Sequence, residues 1–423
     1  MTLRATLFFI LLTLGISAHS ADNPSSSVSE PTESGKILRD QFDAGEYWLV
    51  GTDGLNYLKQ YPADNELRIR VADSLAWTGR YSDAIVQYQK LSNTELSDRA
   101  ALGLANVYRW SSRPDLAQAL YQKVRATQPE NPDAIDGMNR IDRELRPRTK
   151  FNYGKISDSN SVVQNSDELS HRWRGDDLAL KYELSLNLNR ISRLPLNASQ
   201  KEIGLSIEHA SMALAPRLDL SVQQSPASRA FGSLRLKLDD ASELHVTIGY
   251  VNWGKMAFQP QALLDGLSAK QLGVDGSIIT RPGTISAVYN AYRISDGNQI
   301  QDANMHFSPS WRPLGPDFRY YIGLSGRFAL NNVPTYWSPK AGYLSTDIGF
   351  TQEWSLREGD FSIYGQRGFR AGGEALNSHN MGFAVKRYVD HDWAASLNAG
   401  LLANRRAGAY SSKYLTLGAE RLW

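Results

Sequence analysis

No cysteine occurs in the 423 residues. Disulfides, thiol nucleophiles, thiolate metal sites and a lipidated N-terminal cysteine are thereby excluded, and stability falls to packing and backbone pairing. Beyond the N-terminal segment no apolar run approaches the roughly eighteen residues of a membrane-spanning helix, so a helical membrane protein is excluded. An excess of charge of one sign is missing too: the net charge is +2 with both signs intermixed, which gives no case for nucleic acid. The seven histidines are scattered, and no HExxH, GxSxG or phosphate-loop pattern occurs. No catalytic residue, metal site or cofactor is therefore expected. The mean hydropathy of −0.40 leaves one membrane class open. Strands of a transmembrane β-barrel alternate lipid-facing and lumen-facing residues, so their hydropathy averages out.

The chain begins MTLRATLFFILLTLGISAHSADN, with an Arg near the start, an apolar run from Leu7 to Ile16 and small residues from Ala18 to Ala21. This pattern reads as a secretory signal peptide over residues 1–20. Residues 21–36 are rich in Ser, Pro and Glu, can bury almost nothing, and read as a flexible linker. Residues 37–148 have a helical period. In LRIRVADSLAWTGRYSDAIVQYQKL, Leu67, Val71, Leu75, Ala84, Ile85 and Tyr88 fall on the buried faces of two short helices broken at Gly79. The unit repeats: Ala72, Trp77, Arg80, Ala84 and Tyr88 recur 33 residues later as Ala105, Trp110, Arg113, Ala117 and Tyr121, and Gly103 recurs as Gly137. That is the period of tetratricopeptide hairpins, and these residues are expected to form the core of a short solenoid.

From residue 149 to residue 423 the period is 2. DLALKYELSLNLN puts Leu178, Leu180, Tyr182, Leu184, Leu186 and Leu188 on one face and Lys181, Glu183, Asn187 and Asn189 on the other. Seven short turns, GDD, LAPR, DDAS, RPGT, RPLGPD, REGD and VDHD, alternate with eight connections expected to be longer or more variable, among them KMAFQPQALLDGLSA and NNVPTYWSPK. Fifteen connections make about 16 strands, with both chain ends on the short-turn side. Each strand with its connection has roughly 17 residues, enough for the roughly 9–11 of a membrane crossing. The expected fold is thus α + β: an N-terminal α-helical tetratricopeptide solenoid followed by a C-terminal transmembrane antiparallel β-barrel. A soluble sandwich also alternates, and the connection pattern favours the barrel.

Counting by twos places Glu183, Glu208, Asp219 and Glu243, with Lys181, Arg235, Lys237, Arg319 and Arg327, on the inward face. The carboxylates could pair for glycosidase work. The plainer reading is a mixed-charge ladder that keeps the lumen hydrated, which suits a polyhydroxylated polymer of little net charge better than an anion channel. Trp253, Trp311, Phe318, Trp354, Phe361 and Trp393 would sit at the interface girdles. The terminal KYLTLGAERLW sets Leu415, Leu417 and Trp423 outward, with Arg421 interrupting the row.

The segments SLAWTGRYSDA, RAALGLANVYRWSSRPDLAQALYQKV and QPENPDA resemble the repeats that precede YaiO-type outer-membrane barrels and the exporters of poly-N-acetylglucosamine and cellulose. YWSPKAGYLS resembles the aromatic-Ser-Pro segment entering a late strand of those barrels. The resemblance implies an outer-membrane pore for an exopolysaccharide, with periplasmic repeats that engage a synthase, a modifying enzyme or the cell wall. The C-terminal Leu415, Leu417 and Trp423 resemble the signal read by barrel-assembly machinery. Tyr336 and Trp337 stand either as a platform for sugar rings or as a loop anchor. Two other readings stay open: a narrow or plugged barrel that binds partners through its loops and repeats, and an envelope enzyme.

Overall fold

The computed structural model describes residues 33–423 except 213, 225–227, 240–242, 258, 316, 357, 375–376 and 407, and without the side chains of 404–409. The expected signal peptide and most of the expected linker lie outside the described residues. Helix begins four residues inside that linker: α1 spans Glu33–Asp43. Its Gly35 is buried so tightly that a Cβ there would come within 2.6 Å of the Tyr57 hydroxyl, a contact that the polar composition of the segment hides.

Six helices follow: α2 Tyr47–Gln60, α3 Asn65–Trp77, α4 Tyr81–Gln89, α5 Ser97–Trp110, α6 Pro114–Thr127 and α7 Pro132–Leu145. Local sequence sets their ends. The Asp64 carboxylate caps α3 by accepting from the Leu67 amide at 2.9 Å, Asn131 caps α7, and Pro114 and Pro132 fill first-turn positions where no amide is needed. The 33-residue repeat has a direct structural counterpart. The Tyr88 ring lies on Gly103 and its hydroxyl donates to Asp73 at 2.7 Å; the Tyr121 ring lies on Gly137 and its hydroxyl donates to Asn106 at 2.6 Å. A Cβ on either glycine would come within 2.4 Å of the ring, so only glycine permits the approach. Trp77 and Trp110 depart from the expected core, being 49% and 38% exposed. They close the hairpin edges instead, Trp77 against Phe42 and Tyr47 and Trp110 near Tyr81.

The rest of the chain is a closed antiparallel barrel of sixteen strands in sequential order, with β1 Arg148–Asp158 paired to β16 Gly408–Leu422. Between them run β2 Val163–Arg174, β3 Leu180–Arg193, β4 Leu196–His209, β5 Arg217–Gln224, β6 Ser228–Asp239, β7 Leu244–Asn252, β8 Ser268–Thr280, β9 Gly283–Ile294, β10 Gln299–Pro309, β11 Phe318–Ala329, β12 Tyr343–Leu356, β13 Gly359–Gly373, β14 Ser378–Tyr388 and β15 Trp393–Arg406. All seven expected short turns join strands at the end where β1 begins and β16 finishes. The other end differs from expectation, because among the described residues only 253–267 and 330–342 form long loops. β3 and β4 are joined through 194–195 alone and β9 and β10 through 295–298, since their Ser-, Asn- and Gln-rich flanks extend the ladders rather than leaving them.

The outer surface is apolar, with Ile203 57%, Ile248 60%, Ile322 54% and Ile348 52% exposed where a lipid chain would cover them. At the turn end it carries aromatic pairs such as Trp173–Tyr182 and Trp354–Phe361. There Arg421 no longer looks anomalous: its guanidinium lies 3.7 Å from the Trp423 ring centroid and 5.4 Å from that of Trp393. Two aromatic faces take up the outward charge.

The helices lie at the turn end. Glu46 pairs with Arg281 of the β8–β9 turn at 3.5 Å, and Gly79 rests on Ile279. Burial and then the charge of Glu243, in the β6–β7 turn, push the Tyr81 hydroxyl pKa up. Arg113 is within electrostatic reach of Asp177 in the β2–β3 turn. Arg146, just past α7, donates to Asp392 at 2.7 Å and to the Trp423 carbonyl at 2.9 Å. The helical region thus follows the rim from the β8–β9 turn round to the β1–β16 seam.

Candidate functional site: a two-sided lumen

The strand register settles which residues face inward, and the inner wall has two distinct halves. On β2 to β8 it is a ladder of ion pairs: Arg172 to Glu183 at 2.7 Å, Lys181 to Glu208 at 2.6 Å, Arg217 to Asp219 at 3.0 Å, and Arg235 to Asp275 at 2.6 Å. Each pairing follows from cross-strand or same-strand proximity on one face. Lys237 stands opposite His245 on this face. Of the residues expected in the lumen, Lys181, Glu183, Glu208, Asp219, Arg235 and Lys237 are therefore brought together here.

Glu243 is not among them. Its strand begins one residue later, and Glu243 sits in the turn at φ +45°, near Tyr81 of the helical region. Arg319 and Arg327 lie on the other half. Arg319 approaches Glu353 at 3.6 Å near the turn end, and Arg327 forms a fork with Asp302 at 2.5 and 2.6 Å near the loop end.

Between those two pairs the wall from β10 to β16 carries little charge. It presents rings laid flat against glycines. Tyr321 lies over Gly349, and His306 over Gly323. Tyr364 and Tyr414 reach toward each other across Gly382 and Gly400, which face one another in the register, until their hydroxyls meet at 2.5 Å. Any side chain at these glycines would push the rings off the wall: a Cβ at Gly349 would come within 2.2 Å of Tyr321, and one at Gly400 within 2.1 Å of the Tyr414 hydroxyl. Asn398 accepts from Tyr364 at 2.8 Å. Asp347, the acid set into this wall, is 2% exposed and accepts from Ser325 and Ser345. The result is a surface of half-buried aromatic rings, hydroxyls and amides, with His306 and Tyr321 in ring contact at 4.7 Å.

Sequence reading did not single out Tyr321, Tyr364 or Tyr414. Their inward parity could be counted, but the glycines that flatten them stand on neighbouring strands, and the register that brings them together is not written in either strand alone.

The two long loops fold into the loop-end mouth. The first carries two single-turn helices, α8 Trp253–Met256 and α9 Pro260–Leu264. Trp253 is 2% exposed rather than a girdle aromatic, packed at 5.1 Å against Tyr292 and 5.6 Å against Tyr336. Leu263, fully buried, reaches across to Val162, Ile191 and Ala198 on the β1–β4 side. Lys255 pairs with Glu202 at 2.7 Å, and Arg229 donates to the Gly266 carbonyl. The loop thus covers the β3–β10 side of the mouth.

In the second loop Tyr336 is 4% exposed; its hydroxyl donates to Asp296 at 2.8 Å and accepts from Asn298 at 3.1 Å. Tyr336 therefore anchors the loop and offers no face to a sugar. Its neighbour Trp337 is half-buried, 4.7 Å beneath the Arg327 guanidinium and edge-on to Tyr343 at 5.2 Å, at the top of the aromatic wall. At the C-terminus, Leu417 and Trp423 are 44% and 53% exposed on the outer surface, on the parity shared by Leu415, and the Trp423 indole donates to Thr149 at 2.8 Å across the seam.

The barrel resembles solved outer-membrane barrels. A protein described as a bacterial polysaccharide outer membrane secretin aligns with a TM-score of 0.54 at 8% identity, over 66% of this chain and 99% of that one. OpdQ of Pseudomonas aeruginosa aligns at 0.36 and 10% identity over 66% and 99% of the two chains, and OprB of Pseudomonas putida at 0.37 and 7% over 69% and 97%. Likeness at such identities concerns the fold alone, and of these three only the first is near enough in shape to bear on it. No family model matches the chain, and no curated protein matches it.

Proposed function

We propose that this protein is an outer-membrane conduit for a polysaccharide of little net charge, with its helical region, a short tetratricopeptide module, in the periplasm as a docking surface. The observation that carries the reading is the aromatic wall from β10 to β16, whose charges gather near its two ends, Arg319–Glu353 and Lys386–Glu420 toward the turns and Arg327–Asp302 toward the loops, apart from the buried, hydrogen-bonded Asp347. Flat rings offer one face to the lumen, as stacking on a pyranose ring requires, and the neighbouring Asn and Ser groups suit sugar hydroxyls. The charges of the opposite wall are already paired to each other, so they hydrate the passage without selecting an ion. The likeness to a polysaccharide secretin supports the same direction.

In this reading the barrel does no chemistry. Weak contacts repeated along the wall hold the chain in register while force supplied from the inner membrane advances it. Lys181, Glu183, Glu208, Asp219, Arg235 and Lys237 line the hydrated side, Arg319 and Arg327 bracket the aromatic side, and Trp337 meets the polymer at the exit. The partners would be a periplasmic protein on the helices, membrane lipid around the barrel, and barrel-assembly machinery reading Leu415, Leu417 and Trp423.

The test is current blockade in planar bilayers by soluble neutral oligosaccharides. Tyr364→Ala with Tyr414→Ala should shorten blockades by roughly fivefold to a hundredfold, from ~0.5–1.5 kcal/mol per ring. Unchanged blockades in a folded, conducting double variant would refute the track. A second reading, a non-conducting barrel that acts through its loops and helices, is favoured by one observation: the buried anchors Trp253, Leu263 and Tyr336 at the mouth. It predicts no conductance even after residues 254–266 are replaced by a short Gly-Ser linker, whereas a conduit must then pass ions.

A further inference from the structure

The lipid-facing surface has a charge pattern that the lumen does not explain. Outward-facing Lys155, Lys201, Lys270, Arg293, Arg367 and Lys413 are all exposed and all lie in the loop-end half of their strands. Four of them stand as like-charged neighbours. Lys270 is directly opposite Arg293 in the β8–β9 register, and Lys155 and Lys413 are diagonal across the β1–β16 seam. Like charges so placed repel unless an anion lies between them.

Among the described residues none of these six makes an ion pair, and the one outward acid in the band, Asp167, is taken by Arg190 at 3.2 Å. The surface below is apolar. Two grooves in it reach members of the belt. One, lined by Leu169, Leu186, Leu188, Ile203 and Val222, has Lys201 toward its loop-end side, beside the Asp167 that Arg190 neutralises. The other, lined by Phe318, Tyr320, Ile348, Phe350 and Met381, ends at Arg367. A cation at the head of an apolar groove is complementary to a headgroup phosphate with its acyl chain below.

We infer that the loop-end belt is a binding surface for a multiply acylated lipid whose headgroup carries phosphate monoesters, with the phosphates between the Lys270–Arg293 and Lys155–Lys413 pairs and acyl chains in the two grooves. The surface fits a leaflet of such lipids on the loop side only, because at the opposite end the outward cation Arg421 is set between the Trp393 and Trp423 rings and has no like-charged neighbour. It stands whether or not the lumen conducts.

The experiment uses the full chain purified in a nonionic detergent and titrated with bis-phosphorylated lipid A, monophosphorylated lipid A or phosphatidylcholine, with retained lipid counted by native mass spectrometry. The wild type should retain the bis-phosphorylated lipid at least tenfold better than phosphatidylcholine, with the monophosphorylated form between them. K270Q/R293Q and K155Q/K413Q should each remove most of that preference while leaving the heat-dependent gel shift and any conductance unchanged. Equal retention of the three lipids, or variants that retain as much as wild type, would overturn the inference. If a variant does not fold, salt decides on the wild type: retention that survives 0.5 M NaCl undiminished, where the screening length is well under ~8 Å, would overturn it equally.

Discussion

Trp253→Ala should release the first loop from the mouth. The side chain is 2% exposed and is held between Tyr292 and Tyr336, so its loss removes contacts that exist only while the loop is folded inward. Large-to-alanine changes at such sites cost roughly 3–5 kcal/mol. An independent route gives a similar figure: a buried aromatic hides about 200 Å², worth ~5 kcal/mol at ~25 cal/mol per Å². Since ~1.4 kcal/mol is a factor of ten, the ratio of inward to released loop should fall by at least roughly 150-fold.

Single-channel recording in planar bilayers reads the change, as larger or more frequent open levels. Leu263→Ala removes the far anchor and should act in the same direction at roughly 2–5 kcal/mol, the two effects coupling because one loop carries both. Trp337→Ala belongs to the other loop and leaves Trp253 in place, so it should leave the open levels alone. The reasoning is refuted if Trp253→Ala, with an intact heat-dependent gel shift, shows the open levels of the wild type.

In the helical region Gly137→Ala must displace the Tyr121 ring, and overpacking of this kind costs roughly 1–3 kcal/mol; thermal melting of the helical signal should drop by several degrees, and more than for exposed Asp136→Ala. Burial works against the Asp115 carboxylate, but its hydrogen bond and ion pair with Arg113 outweigh that and hold its pKa below the usual carboxylate range. A depressed folded pKa contributes stability above the unfolded pKa that is lost as pH falls through the folded one, so Asp115→Asn should flatten the fall in helical melting temperature below about pH 4, and an unaltered pH profile would contradict it. Arg421→Ala removes two cation–π contacts of roughly 0.5–1 kcal/mol each while ridding the outer face of a charge, so assembly yield should change little; Arg421→Glu, which puts an anion between two ring faces, should lower it clearly.

Much of the barrel could be read in advance because two strong signals agreed. Alternation of period 2 marks each strand, and Pro, Gly and Asp clusters mark each turn, so the seven turns and the parity of the strand count follow without any knowledge of pairing. Loop lengths were harder: stretches such as SVVQNSDE carry polar side chains on both faces, and nothing local tells an extended ladder from a loop. Glu243 shows the limit of counting, since its parity is that of the inward face but the strand stops one residue short of it. Tyr336 and Trp337 are adjacent on a loop without a period, and only tertiary packing buries one and leaves the other half-open. In the helices the repeat marked Tyr88 with Tyr121 and Gly103 with Gly137 as equivalent positions without telling that ring lies on glycine, and Asp73 and Asn106, the acceptors of the hydroxyls, repeat by position and not by identity.

The helices along the rim and the loop in the opposite mouth were described apart, yet they obstruct the same side. The helical region follows the rim from the β8–β9 turn to the seam by way of β6–β7 and β2–β3, and the α8–α9 loop covers β3 to β10. Among the described residues these two elements leave the β11 to β15 side the less covered, bounded at the mouth by the second loop with Trp337 and at the turn end by Arg146 on Asp392. If the barrel is the conduit proposed above, a polymer on that side touches one wall only, so its mobility would be set by friction against a single strip of rings and the barrel's full diameter would overstate its throughput. Charge reversal on the far wall should then leave polymer flux nearly untouched, as though the ladder were the bank of a channel whose current runs along the other shore.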